Sequence, residues 1–210
     1  MSLSYPEIRE EMCNVARLMW ERRLTNAAGG NMAVQVAEDR MLVTPSLMSE
    51  RKHCQLEPKD LLLVDWQEHI YEGEGKLSRE TGMHINLLKN FSHIGASIHA
   101  HPFWCMPFVS AGKMIPNVTE ATMGRGAVGC IEYTKAYTDD LAENVYRYFE
   151  QRHELAERKP LGVILPLHGV VVTGETIFNA YSMLERIECD ALCNLTRGLV
   201  DAVPDGSPLG

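Results

Sequence analysis

The sequence predicts an α/β fold in which one sheet is covered by helices on both faces. Apolar residues recur at helical spacing near both ends of the chain, and several short apolar segments between them are typical of strands. Short polar loops join the early strand-like segments, which favours antiparallel neighbours. A regular alternation of parallel strands and helices, as in a dinucleotide-binding fold, is therefore not expected.

The predicted elements follow one another along most of the chain. The first helix begins near Ser4 and carries one apolar face up to about Arg22. The other predicted helices cover residues 80–91 and 139–152 and a long segment from Ile177. The predicted strands cover residues 32–36, 41–45, 61–65, 94–101 and 163–172. Because no repeat or linker divides these elements, residues 1–200 are expected to form one domain. A flexible tail rich in Pro and Gly is expected over residues 201–210.

The composition of the chain narrows the classes of function. The 210 residues carry a net charge of −8, which argues against a general nucleic-acid binder because no basic stripe is available to displace counterions. The six cysteines form no CxxC pair, so a reduced compartment is expected. The sequence has no charged-then-apolar leader and no apolar run of about 18 residues. We therefore expect a cytoplasmic protein with no membrane segment.

Two histidines at the end of a predicted buried strand are the strongest chemical signal. His99 and His101 are two residues apart, so their side chains point to the same face of the sheet. With His168 as a third imidazole they would bind a divalent transition metal, and the open fourth position is typical of a catalytic zinc. The pair alone is equally compatible with packing or surface residues. Glu80, just before a helical stretch, supplies a carboxylate that favours the metal interpretation.

A second group of residues offers hydrogen-bond donors for an anion. Glycines let backbone N–H groups approach a ligand closely, and hydroxyl, amide and guanidinium groups add side-chain donors. The candidate phosphate-binding residues are Gly30, Asn31, Thr44, Ser46, Ser78 and Arg79. Each is also compatible with ordinary turn chemistry, so the hypothesis depends on their combination.

Taken in order, these blocks resemble the class II aldolase/adducin family. The blocks that carry the resemblance are Gly30-Asn31, Val43-Thr-Pro-Ser46, Ser78-Arg-Glu80 with Met83-His84, His99-Ala-His101 and Leu167-His-Gly169. The resemblance extends from about Ile8 to Thr196. It implies a three-layer α/β/α sandwich with a largely antiparallel central sheet. It also implies a homotetramer that has its active sites near the subunit interfaces.

The resemblance assigns roles to the matching residues. It implies that one zinc ion per chain is bound by His99, His101 and His168. Glu80 matches the catalytic acid/base, which can also approach the metal, and a closed site is expected to raise its pKa. His84 lies one helical turn beyond Glu80 and is expected to be structural. The positions that match the phosphate-binding residues of the family are Gly30, Asn31, Ser46 and Ser78.

Two positions depart from the aldolase pattern. Leu47 stands where the pattern has glycine after the Thr-Pro-(Ser/Thr) run, and its side chain is expected to hinder one close backbone approach to the phosphate. Arg79 stands where the pattern often has a second serine. Its guanidinium group either replaces the lost contact with a bidentate one or points to solvent.

The reaction implied by the resemblance is reversible aldol cleavage of a ketose 1-phosphate into dihydroxyacetone phosphate and an aldehyde. An aldolase of the family supplies a tyrosine to a neighbouring subunit from the stretch after the second histidine. This chain has no tyrosine there before Tyr133, and Glu120 is the nearest titratable group. Four alternatives therefore stay open: dehydration with Glu120 as the proton carrier, 4-epimerisation, decarboxylation of a keto-acid sugar phosphate, and a non-catalytic adducin-like role.

Overall fold

The computed structural model describes residues 3–202, and these form one mixed sheet of eight strands flanked by helices. The strands are β1 (Asn31–Ala37), β2 (Arg40–Val43), β3 (Leu62–Asp65), β4 (Ile70–Glu72), β5 (Ala96–Ala100), β6 (Gly129–Cys130), β7 (Gly162–Leu165) and β8 (Gly169–Gly174). Their order across the sheet is β4-β3-β2-β1-β5-β8-β7-β6. Six of the seven neighbouring pairs are antiparallel, and β6 pairs parallel with β7. The predicted, largely antiparallel sheet is confirmed.

Helices cover both faces of this sheet. The α-helices of the described residues are α1 (Pro6–Glu21), α2 (Met48–Lys52), α3 (Thr81–Asn90), α4 (Met106–Ala111), α5 (Asp139–Glu150), α6 (His153–Ala156) and α7 (Ile177–Asp201). Apolar residues of α1 and α7 pack on one face, and those of α3 and α5 pack on the other. The three-layer α/β/α sandwich is therefore confirmed. The short elements β4, β6, α2, α4 and α6 were not predicted.

A hydrophobic core lies on each face of the sheet, and successive residues of a strand contribute to the two cores in alternation. In β1, Met32 and Val34 pack with α1 and α7, whereas Ala33 packs in the core that contains α3 and α5. In β5, Ile98 belongs to the first of these cores. Its neighbour His99 therefore points to the face that α3 covers, as the alternation of side chains on a strand requires.

The segment 163–172, predicted as one strand around His168, is instead a hairpin of β7 and β8. Leu165 pairs with Gly169, so His168 lies in the loop between the two strands. Both strands are fully buried and largely apolar, so hydrophobicity alone does not reveal the turn between them. Pro166, which has no amide donor for the ladder, is the local signal for the break.

Helix α7 is the last element of the described residues. Helix α7 runs to Asp201, and residues 203–210 of the expected tail lie outside the described residues. Within residues 3–202, every helix is too short or too polar to span a membrane.

Candidate metal and substrate site

Three imidazoles converge at one end of the sheet. His99 is the penultimate residue of β5, and His101 follows that strand. His168 reaches them from the β7–β8 loop, because β8 pairs with β5 and begins beside the histidine pair. The Nε2 atoms of His99 and His101 are 3.2 Å apart, and ligand nitrogens of all three rings lie within 4.8 Å of one another. His99, His101 and His168 thus lie together, as their positions in the sequence predict.

Two glycines make room for these rings. A Cβ atom on Gly169 would lie 2.6 Å from Cδ2 of His101 and 2.9 Å from Cε1 of His99. A Cβ atom on Gly29 would overlap the His101 ring. Since protein interiors are close-packed, neither position accepts a side chain unless an imidazole moves.

The three rings fit a transition metal by geometry and by protonation state. Zn–N bonds of about 2.0–2.1 Å in a tetrahedral site place two ligand nitrogens about 3.3 Å apart, close to the observed separation of the Nε2 atoms. Nδ1 of His99 donates to the Val170 carbonyl at 3.0 Å, which leaves the Nε2 lone pair for a ligand bond. Burial lowers the pKa of His99 to about 4 and that of His101 to about 3. Both rings are therefore neutral at neutral pH, as metal binding requires.

Two buried polar atoms of the histidine site have no hydrogen-bond partner among the described residues. They are Oε1 of Glu80 and Nδ1 of His168. Oε1 lies 3.0 Å from Nε2 of His168, within ion-pair distance but without the alignment of a hydrogen bond. Because an unsatisfied buried carboxylate oxygen is costly, a cation bound among the imidazoles would complete its coordination. The residues present thus fit a divalent metal.

Glu80 is buried immediately before α3. Its Oε2 accepts a hydrogen bond from Nδ2 of Asn31 at 2.7 Å and lies 3.6 Å from Nε2 of His99. Burial by itself raises the pKa of Glu80, but His99, His168 and the Asn31 amide hold it below its ordinary value. The expectation of a raised pKa is therefore wrong, because these partners stabilise the carboxylate more than burial penalises it. Glu80 is ionised at neutral pH and available as a base.

Asn31 connects Glu80 to the core of the protein. Its Oδ1 lies 2.6 Å from Nε2 of His84, and Nδ1 of His84 lies 2.6 Å from the Ser97 hydroxyl. All four residues are buried. The Asn31 side chain, proposed from sequence as a phosphate ligand, is thus engaged in positioning Glu80. His84 holds Asn31 in place, in keeping with the structural role expected for it.

The other candidate residues separate into those that reach the cavity beside the histidines and those that do not. The remaining phosphate candidates that line it are Gly30, Ser46, Ser78 and Arg79. Thr44 is fully buried, and its hydroxyl accepts a hydrogen bond from the Met32 N–H at 3.1 Å. Glu120 lies on an exposed turn and does not line the cavity. The structure therefore places Thr44 and Glu120 of this chain away from the cavity.

Tyr137 lines the cavity although no motif in the sequence points to it. Its ring centre lies 3.7 Å from the guanidinium carbon of Arg79 and 5.8 Å from the centre of the His168 ring. Its backbone has a left-handed φ of 66°, an uncommon conformation for a tyrosine that recurs at functional sites. Arg79 thus stacks on an aromatic face at the mouth of the cavity.

Leu47 keeps the backbone conformation that glycine favours. Its φ is 64° and its ψ is 26°, and its half-exposed side chain lines the cavity. The left-handed conformation costs a residue with a Cβ atom about 1–2 kcal/mol. The loop therefore keeps the left-handed conformation that glycine would adopt at this position, and the backbone of Leu47 is strained as a result.

The sequence and the fold of this chain are similar to those of known proteins. The model of the Class II Aldolase and Adducin N-terminal domain family matches residues 10–195. An L-fuculose phosphate aldolase of Methanococcus maripaludis is 28% identical over 179 residues, which cover 85% of this chain and 91% of the relative. A 3-oxo-tetronate 4-phosphate decarboxylase of Haemophilus influenzae is 27% identical over 188 residues, which cover 86% of this chain and 83% of the relative. A solved structure of an L-fuculose 1-phosphate aldolase has a TM-score of 0.77 at 24% identity, covering 98% of this chain and 93% of that chain. This chain therefore belongs to the class II aldolase and adducin N-terminal domain family.

Proposed function

We propose that this protein is a zinc-dependent lyase that reversibly cleaves a ketose 1-phosphate, similar to L-fuculose 1-phosphate, into dihydroxyacetone phosphate and an aldehyde. One observation carries the proposal: a single buried carboxylate, Glu80, lies against three converging imidazoles at a cavity with anion donors on its rim. The aldolases among the relatives support the same class of reaction. We further propose a cytoplasmic homotetramer that has neither nucleic acid nor membrane as a partner.

The metal would be held by His99, His101 and His168, with Glu80 or water completing its coordination. When bound, a divalent ion supplies Lewis-acid polarisation of the substrate carbonyl. His99 and His101 are neutral at neutral pH, so the buried negative group beside the imidazoles is the Glu80 carboxylate. This arrangement leaves the cation electrophilic toward a substrate oxygen.

Glu80 would move the proton on the carbon that becomes part of dihydroxyacetone phosphate. In the synthetic direction the ionised carboxylate removes a proton from that carbon, and in the cleavage direction the protonated side chain returns one. Its ionised state suits proton removal, and the hydrogen bond from Asn31 fixes the orientation of the carboxylate. General acid/base catalysis by a positioned group contributes about two to four orders of magnitude in rate.

The phosphate end of the substrate would lie against the hydroxyls and backbone of Gly30, Ser46 and Ser78. Arg79 would add a guanidinium group that is held at the cavity mouth by the Tyr137 ring. The aldehyde end needs a second group, which takes the proton of the reacting hydroxyl as a base in cleavage and returns it as an acid in synthesis. Tyr137 is the candidate from this chain because it lines the cavity, whereas Glu120 would have to act from another copy.

Decarboxylation of a keto-acid sugar phosphate is the second candidate. Arg79, which stands where the aldolase pattern often has serine, is the observation that favours it, because a guanidinium fork also matches a carboxylate. The decarboxylase among the relatives points the same way. Dehydration and 4-epimerisation would use the same metal site and differ from aldol cleavage in the product, which has lost water in the first case and has the opposite configuration at C4 in the second.

The test is to incubate zinc-loaded protein with a panel of ketose 1- and 5-phosphates and one 3-keto-acid phosphate. Mass spectrometry of the products distinguishes cleavage, loss of water and loss of carbon dioxide, and chromatography separates epimers. We expect dihydroxyacetone phosphate from one ketose 1-phosphate and none from the His101→Ala protein. A dehydrated, decarboxylated or epimerised product without dihydroxyacetone phosphate would overturn the aldolase assignment.

A further inference from the structure

A second cavity lies at the end of the sheet opposite the histidines. It is bordered by His93, which precedes β5, and by Glu175, which follows β8. β5 and β8 pair with Ala96 opposite Gly174 at this end, and the histidines flank the other ends of both strands. The two cavities are therefore separated by the length of these strands, roughly 15 Å.

Three arginines line this second cavity. They are Arg125, Arg158 and Arg186, and Glu175 is the one carboxylate that lines it with them. Among residues 3–202, no carboxylate oxygen lies within 4.0 Å of these three guanidinium groups. Several other arginines do have such partners: Arg9 contacts Glu72, and Arg147 contacts Glu143, each at 2.8 Å. The cavity is thus a concentration of unpaired positive charge in an acidic chain.

Two of the arginines repel one another. Burial and the charge of Arg186 both lower the pKa of Arg125. The Nε of Arg125 donates to the Ala121 carbonyl at 3.4 Å, a contact that does not neutralise its charge. A bound anion would remove the cost of holding these two cations side by side.

Helix α7 adds to the attraction for an anion. Asn179 and Ser182, in its first two turns, line the cavity and offer an amide and a hydroxyl. The N-terminus of a 25-residue helix carries a partial positive charge. Because Asn179 lies in the first turn, this partial charge adds to that of the arginines.

We infer that this second cavity binds a phosphoryl-bearing small molecule at a site separate from the catalytic cavity. Guanidinium forks match phosphoryl oxygens, and the three arginines come from three separate segments, so they approach a tetrahedral group from different sides. The cavity volume of about 270 Å³ is far larger than the roughly 30 Å³ of one liquid water molecule. A phosphoryl group together with a second substituent therefore fits.

Calorimetric titration of the metal-free full chain with pyrophosphate tests this proposal without reference to turnover. We expect one binding event that weakens at least tenfold in the Arg125→Gln/Arg186→Gln protein. The exposed Arg158 provides a second variant, Arg158→Gln, that tests the site even if the double variant does not fold. Arg147→Gln, on α5 and outside the cavity, is the matched control and should bind within twofold of the parent.

Binding that persists in an Arg79→Gln protein would separate the site from the catalytic cavity. Three results would overturn the proposal. The first is no binding of pyrophosphate by the parent protein. The second is binding lost in Arg79→Gln but unchanged in the variants of the second cavity. The third is a change of oligomeric state in those variants, which would make this face a contact between copies of the chain.

Discussion

Nδ2 of Asn31 donates a hydrogen bond to Oε2 of Glu80 at 2.7 Å, while Oδ1 of the same amide lies 2.6 Å from Nε2 of His84. One buried side chain therefore joins the first strand of the central sheet to the carboxylate and the helix of the site. Its two ends are both engaged, so the amide orientation is set by its neighbours. The carboxylate in turn faces the imidazoles in one defined orientation.

Asn31→Leu should lower kcat as well as raise KM. The substitution removes the donor that orients Glu80 and leaves a buried His84 nitrogen without its partner. We expect kcat to fall by about one to two orders of magnitude, and the free energy of unfolding by about 1–3 kcal/mol for the unpaired group. Steady-state kinetics and urea denaturation measure these two effects. A rise in KM with kcat unchanged would show that Asn31 serves substrate binding alone.

Gly169→Ala should impair metal binding. The new Cβ atom would meet the Ala100 carbonyl and Cδ2 of His101, each at 2.6 Å, so the ring or the hairpin must move. We expect metal affinity to fall at least tenfold, the lower end of the loss seen when the groups around metal ligands are changed. Competition with a chelator measures the affinity.

Gly198→Ala is the matched control, because a Cβ placed there in α7 would meet no heavy atom within 4 Å apart from its chain neighbours and the backbone of its own helix. It should leave metal affinity unchanged and raise the free energy of unfolding by up to about 1 kcal/mol. Equal metal affinity in both alanine variants would mean that Gly169 does not shape the histidine site.

Leu47→Gly should be more stable than Leu47→Ala by about 1 kcal/mol. Both variants remove the same half-exposed side chain, but alanine keeps the Cβ atom that the φ of 64° disfavours. Urea denaturation of the two variants gives the difference directly. If Leu47→Ala is as stable as Leu47→Gly or more stable, the backbone at this position does not hold the left-handed conformation.

The metal-free protein should lose stability as the pH falls from about 6.5 to about 4, partly through His84. Burial lowers the pKa of His84 to about 4, from an ordinary value of 6.5. As the pH falls below 6.5, the unfolded chain takes up the proton first. The contribution of the neutral ring is therefore complete above that pH and declines by up to about 1.4 kcal/mol per pH unit below it.

Urea denaturation in the presence of a chelator, repeated across that pH window, measures this slope. His99 and His101 titrate in the same direction, so His84→Gln is needed to isolate the part due to His84. The variant should show the shallower dependence on pH. Parallel curves for parent and variant would contradict the assignment.

Local sequence patterns predicted the parts of the site that depend on strand and helix geometry. The alternation of side chains on a strand placed His99 and His101 on one face, and an apolar helical face placed Glu80 at a helix start. The partners of these residues were not predictable in this way. Asn31 and His84 are 53 positions apart, and only the pairing of β1 with β5 and the packing of α3 bring them together.

Two further features depend on tertiary structure. Tyr137 belongs to no motif, and its place beside Arg79 follows from the path of the segment before α5. The pKa of Glu80 was expected to rise because burial was the one effect visible from sequence. Its lowering depends on His99, His168 and the Asn31 amide, and their positions around Glu80 become visible once the fold is known.

The most direct test of the account is to measure turnover and metal content in the same preparation of Glu80→Gln. Three imidazoles supply enough ligands for a catalytic zinc, and glutamine preserves the shape of the side chain and its contact with Asn31. We predict about one metal ion per chain, as in the parent, and a turnover lower by roughly two to four orders of magnitude. Turnover within a few-fold of the parent at full metal content would show that Glu80 is not the group that moves the proton.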